Sequence, residues 1–325
     1  MRFSRLLPIP LLVPLLVPLL VPLLVLVPAH AAKPPLELEV DRPIHATIAG
    51  RPVTLRLASG TVDHVTLNDP VVRRVGLRPQ REDGTANLEV GGLRVLKGRH
   101  GGAWVRVAGR WQEQQIYWFP GASPLPLDGS IGPMAIAEPR LTLRFAPGNA
   151  APALRLRLVG EIDTTAHGLV NGKDFGFLVT VDPGVRRSLP LVSAAVGAAL
   201  ANRLGGRLEG EPWSEDIVLG VRRPVRRLVL DTPLLLGRLR LDEVAVRVGG
   251  PRDRTQFLAP GQRPIEEAAP DPAEMTVRGR TLVNRRVAYV MSLSRTQMEQ
   301  YGCTHLGIDK RSGHWELACH VAQDR

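Results

Sequence analysis

The sequence is poor in aromatic residues and in lysine. Phe, Trp and Tyr make up only 4% of the 325 residues, whereas 44% are hydrophobic, so branched aliphatic side chains must fill most of the core. Arginine carries nearly all of the formal net charge of +11, because lysine occurs only at Lys33, Lys97, Lys173 and Lys310. A basic chain favours anionic partners. The arginines alternate with Leu and Val, as in LRLRL at 154–158, which predicts solvent-facing positions on strands.

Motifs of several function classes are also missing. The sequence has no glycine-rich phosphate loop, no EF-hand pattern, no clustered basic stripe and no nucleic-acid-binding motif. We therefore expect no cofactor and no nucleic-acid partner. Ser59, Asp63 and His64 are close in the sequence, but a Ser-His-Asp triad assembles from separated elements, and no Gly-x-Ser-x-Gly elbow occurs. We interpret this group as chance composition.

The first 32 residues differ from the rest. Arg2 and Arg5 precede a long apolar stretch, and AHA at 29–31 supplies the small residues that a signal peptidase needs. An uncleaved membrane anchor is the alternative, but recurrent proline disfavours a stable membrane helix. No cysteine lies near the end of the stretch, which excludes a lipoprotein anchor. We interpret residues 1–31 as a cleaved signal peptide, which predicts a periplasmic or secreted protein that meets the membrane only through this segment.

The two cysteines lie close together near the end of the chain. In an oxidising compartment Cys303 and Cys319 are expected to form a disulfide. A metal site is the alternative because His305, His314 and His320 lie near them, but the spacing is not that of a paired zinc module. We expect the disulfide and no metal.

The distribution of glycine and proline predicts a mainly β fold with a few short helices. Gly (32) and Pro (29) are spread along the chain, which is typical of short strands joined by turns. The stretches 69–77 (DPVVRRVGL) and 191–206 (LVSAAVGAALANRLGG) predict helices. Asn171-Gly172 predicts a hairpin turn.

The two halves of the sequence share an order of elements. When Ala58 is aligned with Asp182, ASGTVDHVTL (58–67) lies opposite DPGVRRSLPL (182–191). A glycine-containing hairpin precedes each segment and a predicted helix follows it. The pattern indicates an internal duplication.

The repeated unit resembles the aspartic peptidases, specifically the retropepsin-like and pepsin-related family. The resemblance rests on 177–190 (FLVTVDPGVRRSLP), 234–248 (LLLGRLRLDEVAVRV), 55–68 (LRLASGTVDHVTLN), 88–95 (LEVGGLRV) and 127–136 (LDGSIGPMAI), and it covers roughly residues 44–250. It implies an all-β, acid-protease-like fold of two pseudo-symmetric lobes.

The resemblance also implies a division of the chain. Residues 32–150 are expected to form lobe 1 and residues 151–250 lobe 2. A loop or linker at 251–272 and a C-terminal β-rich extension at 273–325 with the disulfide follow.

The catalytic pair of the family is incomplete in this sequence. Aspartic peptidases use two carboxylates that share a proton, so that one acts as acid and the other as base. The second turn supplies Asp182, whereas the first has Ala58 at the matching position. Alanine can neither accept nor donate a proton.

The rest of the two turns is conserved only in part. In the family the residue after the aspartate carries a hydroxyl that ties the lobes together. Ser59 retains that hydroxyl, whereas Pro183 has neither a hydroxyl nor a backbone N–H. Gly60 and Gly184 are present at the third position, as a persistent turn requires.

The resemblance therefore implies a catalytically degenerate peptidase-like protein. Its inter-lobe cleft is expected to bind a peptide or protein ligand by adding a strand to a sheet edge. The alternative is an active aspartic endopeptidase that uses Asp182, with two chains forming a homodimer.

Overall fold

The structure is a computed structural model that describes residues 34–59, 64–80, 85–90, 94–159, 163–170, 173–248, 276–277 and 289–320. Several sequence predictions fall outside the described residues: the signal peptide at 1–31, Gly60, Asp63, the Asn171-Gly172 turn and the loop at 251–272. The residues from Pro35 onward belong to one compact unit.

One sheet of eight strands forms the first lobe, in the order β17-β5-β6-β2-β3-β8-β4-β7, and a further pairing of β6 with β7 closes it. Its strands are β2 (Ile44–Ile48), β3 (Arg51–Leu57), β4 (Val65–Leu67), β5 (Thr85–Val90), β6 (Arg94–Val107), β7 (Arg110–Trp118), β8 (Gly129–Ile131) and β17 (Thr276–Val277). Helix α1 (Asp69–Val75) and a 3₁₀ helix (Pro133–Ala135) complete the lobe.

A second sheet has twelve strands, in the order β1-β9-β19-β20-β10-β11-β12-β18-β13-β16-β15-β14. Its strands are β1 (Leu36–Glu39), β9 (Arg140–Arg144), β10 (Pro152–Val159), β11 (Asp163–Val170), β12 (Lys173–Asp182), β13 (Leu191–Val192), β14 (Arg207–Val218), β15 (Val221–Leu236), β16 (Leu239–Arg247), β18 (Tyr289–Ser294), β19 (Cys303–Asp309) and β20 (His314–Cys319). We call β11 to β16 with β18 the second lobe, together with helices α2 (Ala194–Leu204) and α3 (Arg295–Gln300). The linking strands are β1, β9, β10, β19 and β20.

The two lobes repeat one scheme of strand pairing. In the first lobe β8 runs parallel to β3 and antiparallel to β4, which in turn runs parallel to β7. In the second lobe β18 runs parallel to β12 and antiparallel to β13, which runs parallel to β16. A helix follows β4 and β13 in each case. The predicted all-β fold with two pseudo-symmetric lobes is confirmed.

The register shows that the second turn is longer by one residue than the ungapped alignment assumes. Ser130 of β8 and Ser292 of β18 occupy equivalent positions in the two lobes. Thr66 pairs with Ser130 and Leu191 pairs with Ser292, so Thr66 is equivalent to Leu191. The alignment of Ala58 with Asp182 would instead place Thr66 opposite Pro190. The chain after Asp182 therefore takes one more residue to reach its outgoing strand.

Local signals explain the two predicted helices. Helix α1 begins after Asn68, has a proline in its first turn and ends at Gly76, which adopts a left-handed conformation with φ 73°. Helix α2 begins after Ser193, whose hydroxyl accepts a hydrogen bond from the Val196 backbone N–H, and it ends at Gly205. Both helices lie where the sequence predicted them.

The C-terminal part of the chain is integrated into the sheet. The predicted extension at 273–325 contains β18, which pairs with β12 and β13 and so belongs to the second lobe. It also contains β19 and β20, which pair with β9 and β10. The second lobe therefore extends past residue 250.

A disulfide joins Cys303 and Cys319 at the ends of the β19–β20 hairpin, with the two sulfurs 2.02 Å apart. Both residues are buried, as is Trp315 on the same hairpin. The hairpin thus contributes to the continuous hydrophobic core that also includes residues of both lobes. The predicted pairing of the cysteines is supported.

Candidate functional site

The two predicted turns meet between the lobes. The Ser59 hydroxyl, directly after β3 and Ala58, donates a buried hydrogen bond of 2.5 Å to the carbonyl of Val181, the residue before Asp182. The Arg56 guanidinium donates from Nη1 to the carbonyl of Gly184 at 3.1 Å. Residues far apart in the sequence, and one in each half, therefore form a single site.

The turn of the second lobe is shaped around the Asp182 carboxylate. Its Oδ1 accepts a hydrogen bond of 3.0 Å from the Gly184 backbone N–H, and the Val185 N–H donates to the Asp182 carbonyl at 3.2 Å. A Cβ atom on Gly184 would lie 3.2 Å from Asp182 Oδ1 and 3.4 Å from the Leu57 carbonyl oxygen of the first lobe. Glycine at this position allows the two turns to approach closely.

The turn of the first lobe contributes a methyl group. Ala58 is buried, at 5% exposure, and its backbone N–H donates to the Ile131 carbonyl at 3.0 Å. Ser59, next to it, is 2% exposed. Alanine thus stands at the position of this turn where the two-carboxylate chemistry requires an acid.

The hydroxyl hydrogen bonding between the two turns is one-sided, because Ser59 can donate and Pro183 cannot. Ser59 donates a hydroxyl hydrogen bond to the second lobe, as the family resemblance predicts. Pro183 is buried and cannot return it, because proline has no hydroxyl and no backbone N–H. Of the two hydroxyl hydrogen bonds that the resemblance implies between the turns, the described residues can form the one from Ser59 but not the one from position 183.

A buried arginine lies within electrostatic reach of Asp182. Burial lowers the pKa of the Arg187 guanidinium, and the negative charge of Asp182 acts in the opposite direction. Arg187 donates to the Ser292 hydroxyl at 2.9 Å and to the Asp216 carbonyl at 3.3 Å. A cation thus stands near Asp182, and the negative charges of Glu215 and Asp216 also act on it.

The last helix of the second lobe holds this arginine in place. The Ser294 hydroxyl accepts a hydrogen bond from the Arg187 backbone N–H at 3.1 Å, and the Gln297 amide donates to the Arg187 carbonyl at 2.8 Å. The Arg295 N–H donates to the Val185 carbonyl at 2.7 Å. The chain after Asp182 is therefore fixed by β18 and α3.

A pocket of about 380 Å³ opens on the first lobe, and one residue of the second lobe contributes to its wall. Its lining includes Asn68, Phe119, Leu125 and Leu127 of the first lobe and Leu219 from the β14–β15 turn of the second. The Asn68 side chain is fully engaged with this wall, since it donates to two backbone carbonyls and accepts from one backbone N–H. Leu127 is half exposed, so the pocket offers an apolar surface to a ligand side chain.

Ser59 and His64, the two described members of the Ser-His-Asp group, have different partners. Ser59 donates its proton to a carbonyl, so it has no general base as partner. The His64 ring packs against Tyr117 with the ring centres 4.8 Å apart. Asp63 lies outside the described residues. The two described members therefore have separate structural roles.

The predicted alternative of a metal site near the cysteines depended on three histidines. His305 is hydrogen-bonded to Thr304 through Nδ1, and the cysteine sulfurs are engaged in the disulfide. Within the described ranges no three His, Cys, Asp or Glu side chains converge as a metal site would require.

Arg56 and Arg187 were not identified from the sequence. Each lies in a stretch that carries the family resemblance, LRLASG and DPGVRR, but the sequence pattern predicts that strand arginines face solvent. Arg187 is only 8% exposed. An arginine within a few residues of both repeated turns is the signal that could have identified them.

Comparison with models of known protein families and with curated protein sequences yields no match. In the part of the chain that the structure describes, no helix has the length and apolar character needed to span a membrane.

Proposed function

We propose that this protein is an exported, catalytically degenerate relative of the aspartic peptidases that binds an extended peptide or an unfolded protein segment between its lobes. The observation that carries the proposal is the hydrogen bond from Ser59 to the Val181 carbonyl. It brings the turn containing Ala58 against the turn containing Asp182, so an alanine occupies the place of the second acid.

The same contact argues against the dimeric peptidase. A dyad made from two chains needs a second Asp182 opposite the first. In this chain the place opposite is filled by the first lobe, whose Arg56 and Ser59 are hydrogen-bonded to the Asp182 turn. A second chain would have to displace both hydrogen bonds before its carboxylate could approach.

Strand addition is supported by an intramolecular example. The two residues of β17 pair antiparallel with β5, Thr276 opposite Glu89 and Val277 opposite Leu88. The edge of β5 therefore accepts an extended segment through backbone hydrogen bonds. The pocket on the first lobe, lined by Phe119, Leu127 and Leu219 among others, supplies an apolar surface for a ligand side chain.

Proteolysis is tested first. Purified protein is incubated with fluorescent casein at acid and neutral pH, with and without a pepstatin-type inhibitor. We expect no inhibitor-sensitive cleavage, and the same result for Asp182→Ala. Cleavage that is lost in Asp182→Ala would establish the alternative, an active endopeptidase.

Binding is tested with the same probe. Fluorescence anisotropy should show that casein binds, and amide hydrogen exchange should then slow within residues 85–87, which precede the two residues of β5 that pair with β17, because an added strand protects backbone N–H groups. Binding that leaves the exchange of 85–87 unchanged would contradict strand addition at this edge. A lack of binding would contradict the proposed function.

A further inference from the structure

The solvent-facing side of β6 and β7 carries a row of rings. Outward-facing residues alternate along both strands with buried ones such as Val105 and Ile116. Trp104 and Trp111 are 57% and 47% exposed, whereas Trp118 and Trp315 are buried. Two of the five tryptophans therefore have a large part of their indole surface in water.

The strand register places these residues next to one another. Trp104 pairs with Glu113, and Arg106 pairs with Trp111. Trp104 and Trp111 are thus diagonal neighbours, and the backbones of such positions in an antiparallel ribbon lie roughly 7–8 Å apart, within reach of large aromatic side chains. The Arg106 guanidinium lies 5.8 Å from the centre of the Trp111 ring.

The row continues toward the other end of the ribbon. Gly102 pairs with Gln115, and His100 pairs with Tyr117. The His100 and Tyr117 ring centres are 5.7 Å apart, and Gln115 contacts the His100 ring nitrogen. A Cβ on Gly102 would meet only Glu113 Oε1 at 3.9 Å, so this position is a shallow depression between the rings.

We propose that this face, which we call the aromatic stripe (Trp104, Arg106, Trp111, Glu113, Gln115 and the His100–Tyr117 pair), binds a neutral glycan chain. A pyranose ring has C–H groups on its faces and hydroxyl groups at its rim. The negative face of an indole attracts C–H groups. The carboxylate, amide and guanidinium between the rings can hydrogen-bond the hydroxyls.

The charge of the aromatic stripe selects a neutral ligand. Arg106 and Glu113 cancel, although the whole chain has a net charge of +11. Glu113 makes no ion pair with any described residue and stands beside Trp104. An anionic glycan or an anionic membrane surface would gain no net attraction at the centre of the stripe, because the carboxylate of Glu113 offsets the guanidinium of Arg106.

A protein partner fits this face less well. Tight protein interfaces place uncharged residues at their centre and charged groups at the rim. Here Glu113 and Arg106 lie between the two indoles, so a protein that covered them would desolvate both charges. A glycan can bring hydroxyl groups to these charges along its whole length.

The test uses purified protein with three soluble probes, namely chitohexaose, cellohexaose and maltohexaose. Affinity is measured by calorimetry, and access to the indoles by acrylamide quenching of tryptophan fluorescence. At least one probe should bind and should reduce quenching. Trp104→Ala and Trp111→Ala should each weaken that binding about tenfold, which corresponds to the loss of one stacking contact.

Control variants distinguish binding through the aromatic stripe from binding to any exposed apolar side chain. Leu235→Ala removes an exposed apolar side chain, 41% exposed, that is not in the stripe, and should bind as the wild type does. Trp104→Phe should bind more tightly than Trp104→Ala because it retains a ring. Failure of all three probes to bind, or binding unchanged in the Trp104→Ala/Trp111→Ala double variant, would overturn the proposal. Binding of heparin or phosphatidylglycerol vesicles through these tryptophans, in preference to the hexasaccharides, would also overturn it.

Discussion

The two lobes have the same strand pairing but hold their central turns by different means. The first lobe presents Ala58 and the hydroxyl of Ser59, and its turn donates to the second lobe. The second lobe presents Asp182 and Pro183, and its turn is held from within the lobe through Arg187, Ser294 and Gln297. A shared backbone scheme can therefore persist while the chemistry of the two turns diverges.

The largest expected effect comes from making the two turns alike. Ala58→Asp would introduce a buried carboxyl beside Asp182. Like charges in a buried site raise the pKa of such a pair, so the native state would keep a proton that the unfolded chain releases. Its stability is then lost as the pH rises through the raised pKa. We expect the variant to be destabilised by about 3 kcal/mol at pH 7 and much less at pH 4.

Ala58→Asn is the matched control, because it has nearly the same shape without the charge. Urea unfolding at the two pH values measures both variants. Equal pH dependence of Ala58→Asp and Ala58→Asn would mean that the two turns do not bring these side chains together, and the comparison of the lobes would fail. Acid-pH cleavage of casein by Ala58→Asp, and not by Ala58→Asn, would show in addition that two alike turns form a working pair of carboxylates.

Removing the disulfide tests how far the stability of the two lobes depends on the β19–β20 hairpin. The loop closed by Cys303 and Cys319 spans 16 residues, so reduction is expected to cost about 3 kcal/mol through the entropy of the unfolded chain. The Cys303→Ser/Cys319→Ser variant should lose this amount in urea unfolding, with both lobes unfolding in one transition. Two separate transitions would show that the lobes are independent once the hairpin is weakened.

The one-sided hydrogen bond predicts unequal costs at matching positions. Ser59→Ala leaves the Val181 carbonyl buried without its donor and should cost about 1–3 kcal/mol, whereas Ser59→Thr keeps a hydroxyl and should cost less. Pro183→Ser removes no hydrogen bond, and its effect should be smaller than that of Ser59→Ala. Chemical denaturation measures all three, and equal losses at 59 and 183 would contradict the asymmetry.

The smallest expected effect on stability concerns the contacts at the last helix of each lobe, which is α3 in the second lobe and the 3₁₀ helix in the first. In the second lobe, α3 begins with a capping box formed by Ser294 and Gln297. In the first lobe the backbone carbonyls of Met134 and Ile136 accept hydrogen bonds from the Lys310 ammonium. Burial lowers the pKa of Lys310 to about 8 from its ordinary value of 10.5, against a smaller opposing effect of Glu138.

The sign of the pH effect follows from the direction of that shift. Between pH 8 and 10.5 the unfolded chain binds a proton that the native lysine has released, so the stability rises with pH in this window. The gain is on the order of 1 kcal/mol, reduced by the part of the side chain that water reaches. Melting temperatures at pH 7, 8, 9 and 10 should rise more for the wild type than for Lys310→Met. Parallel profiles would contradict the assignment.

The sequence predicted the fold better than it predicted the site. The repeated turns at Ala58 and Asp182, the helix after each and the disulfide were all accessible from local patterns, because caps, turns and cysteine number act over short distances. The strand β18 was assigned to a separate extension, since nothing local shows that it pairs with β12 and β13.

The arginines of the site were missed for a related reason. Arg56 alternates with leucines on β3, and such a pattern predicts exposure to solvent. Its guanidinium reaches the Gly184 carbonyl only because the other lobe lies there. Contacts of this kind depend on how the lobes are arranged, which the period of a strand does not encode.

The place of the β19–β20 hairpin sets an order of events during folding. β9 and β10 are consecutive strands, yet each pairs with a strand of that hairpin near the chain end and not with the other. A chain that emerges N-terminus first therefore keeps one edge of β9 and one edge of β10 unpaired until β19 and β20 appear. Pairing over such sequence distances is slow. Closure of the linking strands, and oxidation of Cys303 with Cys319, therefore follow the synthesis of the strands of both lobes.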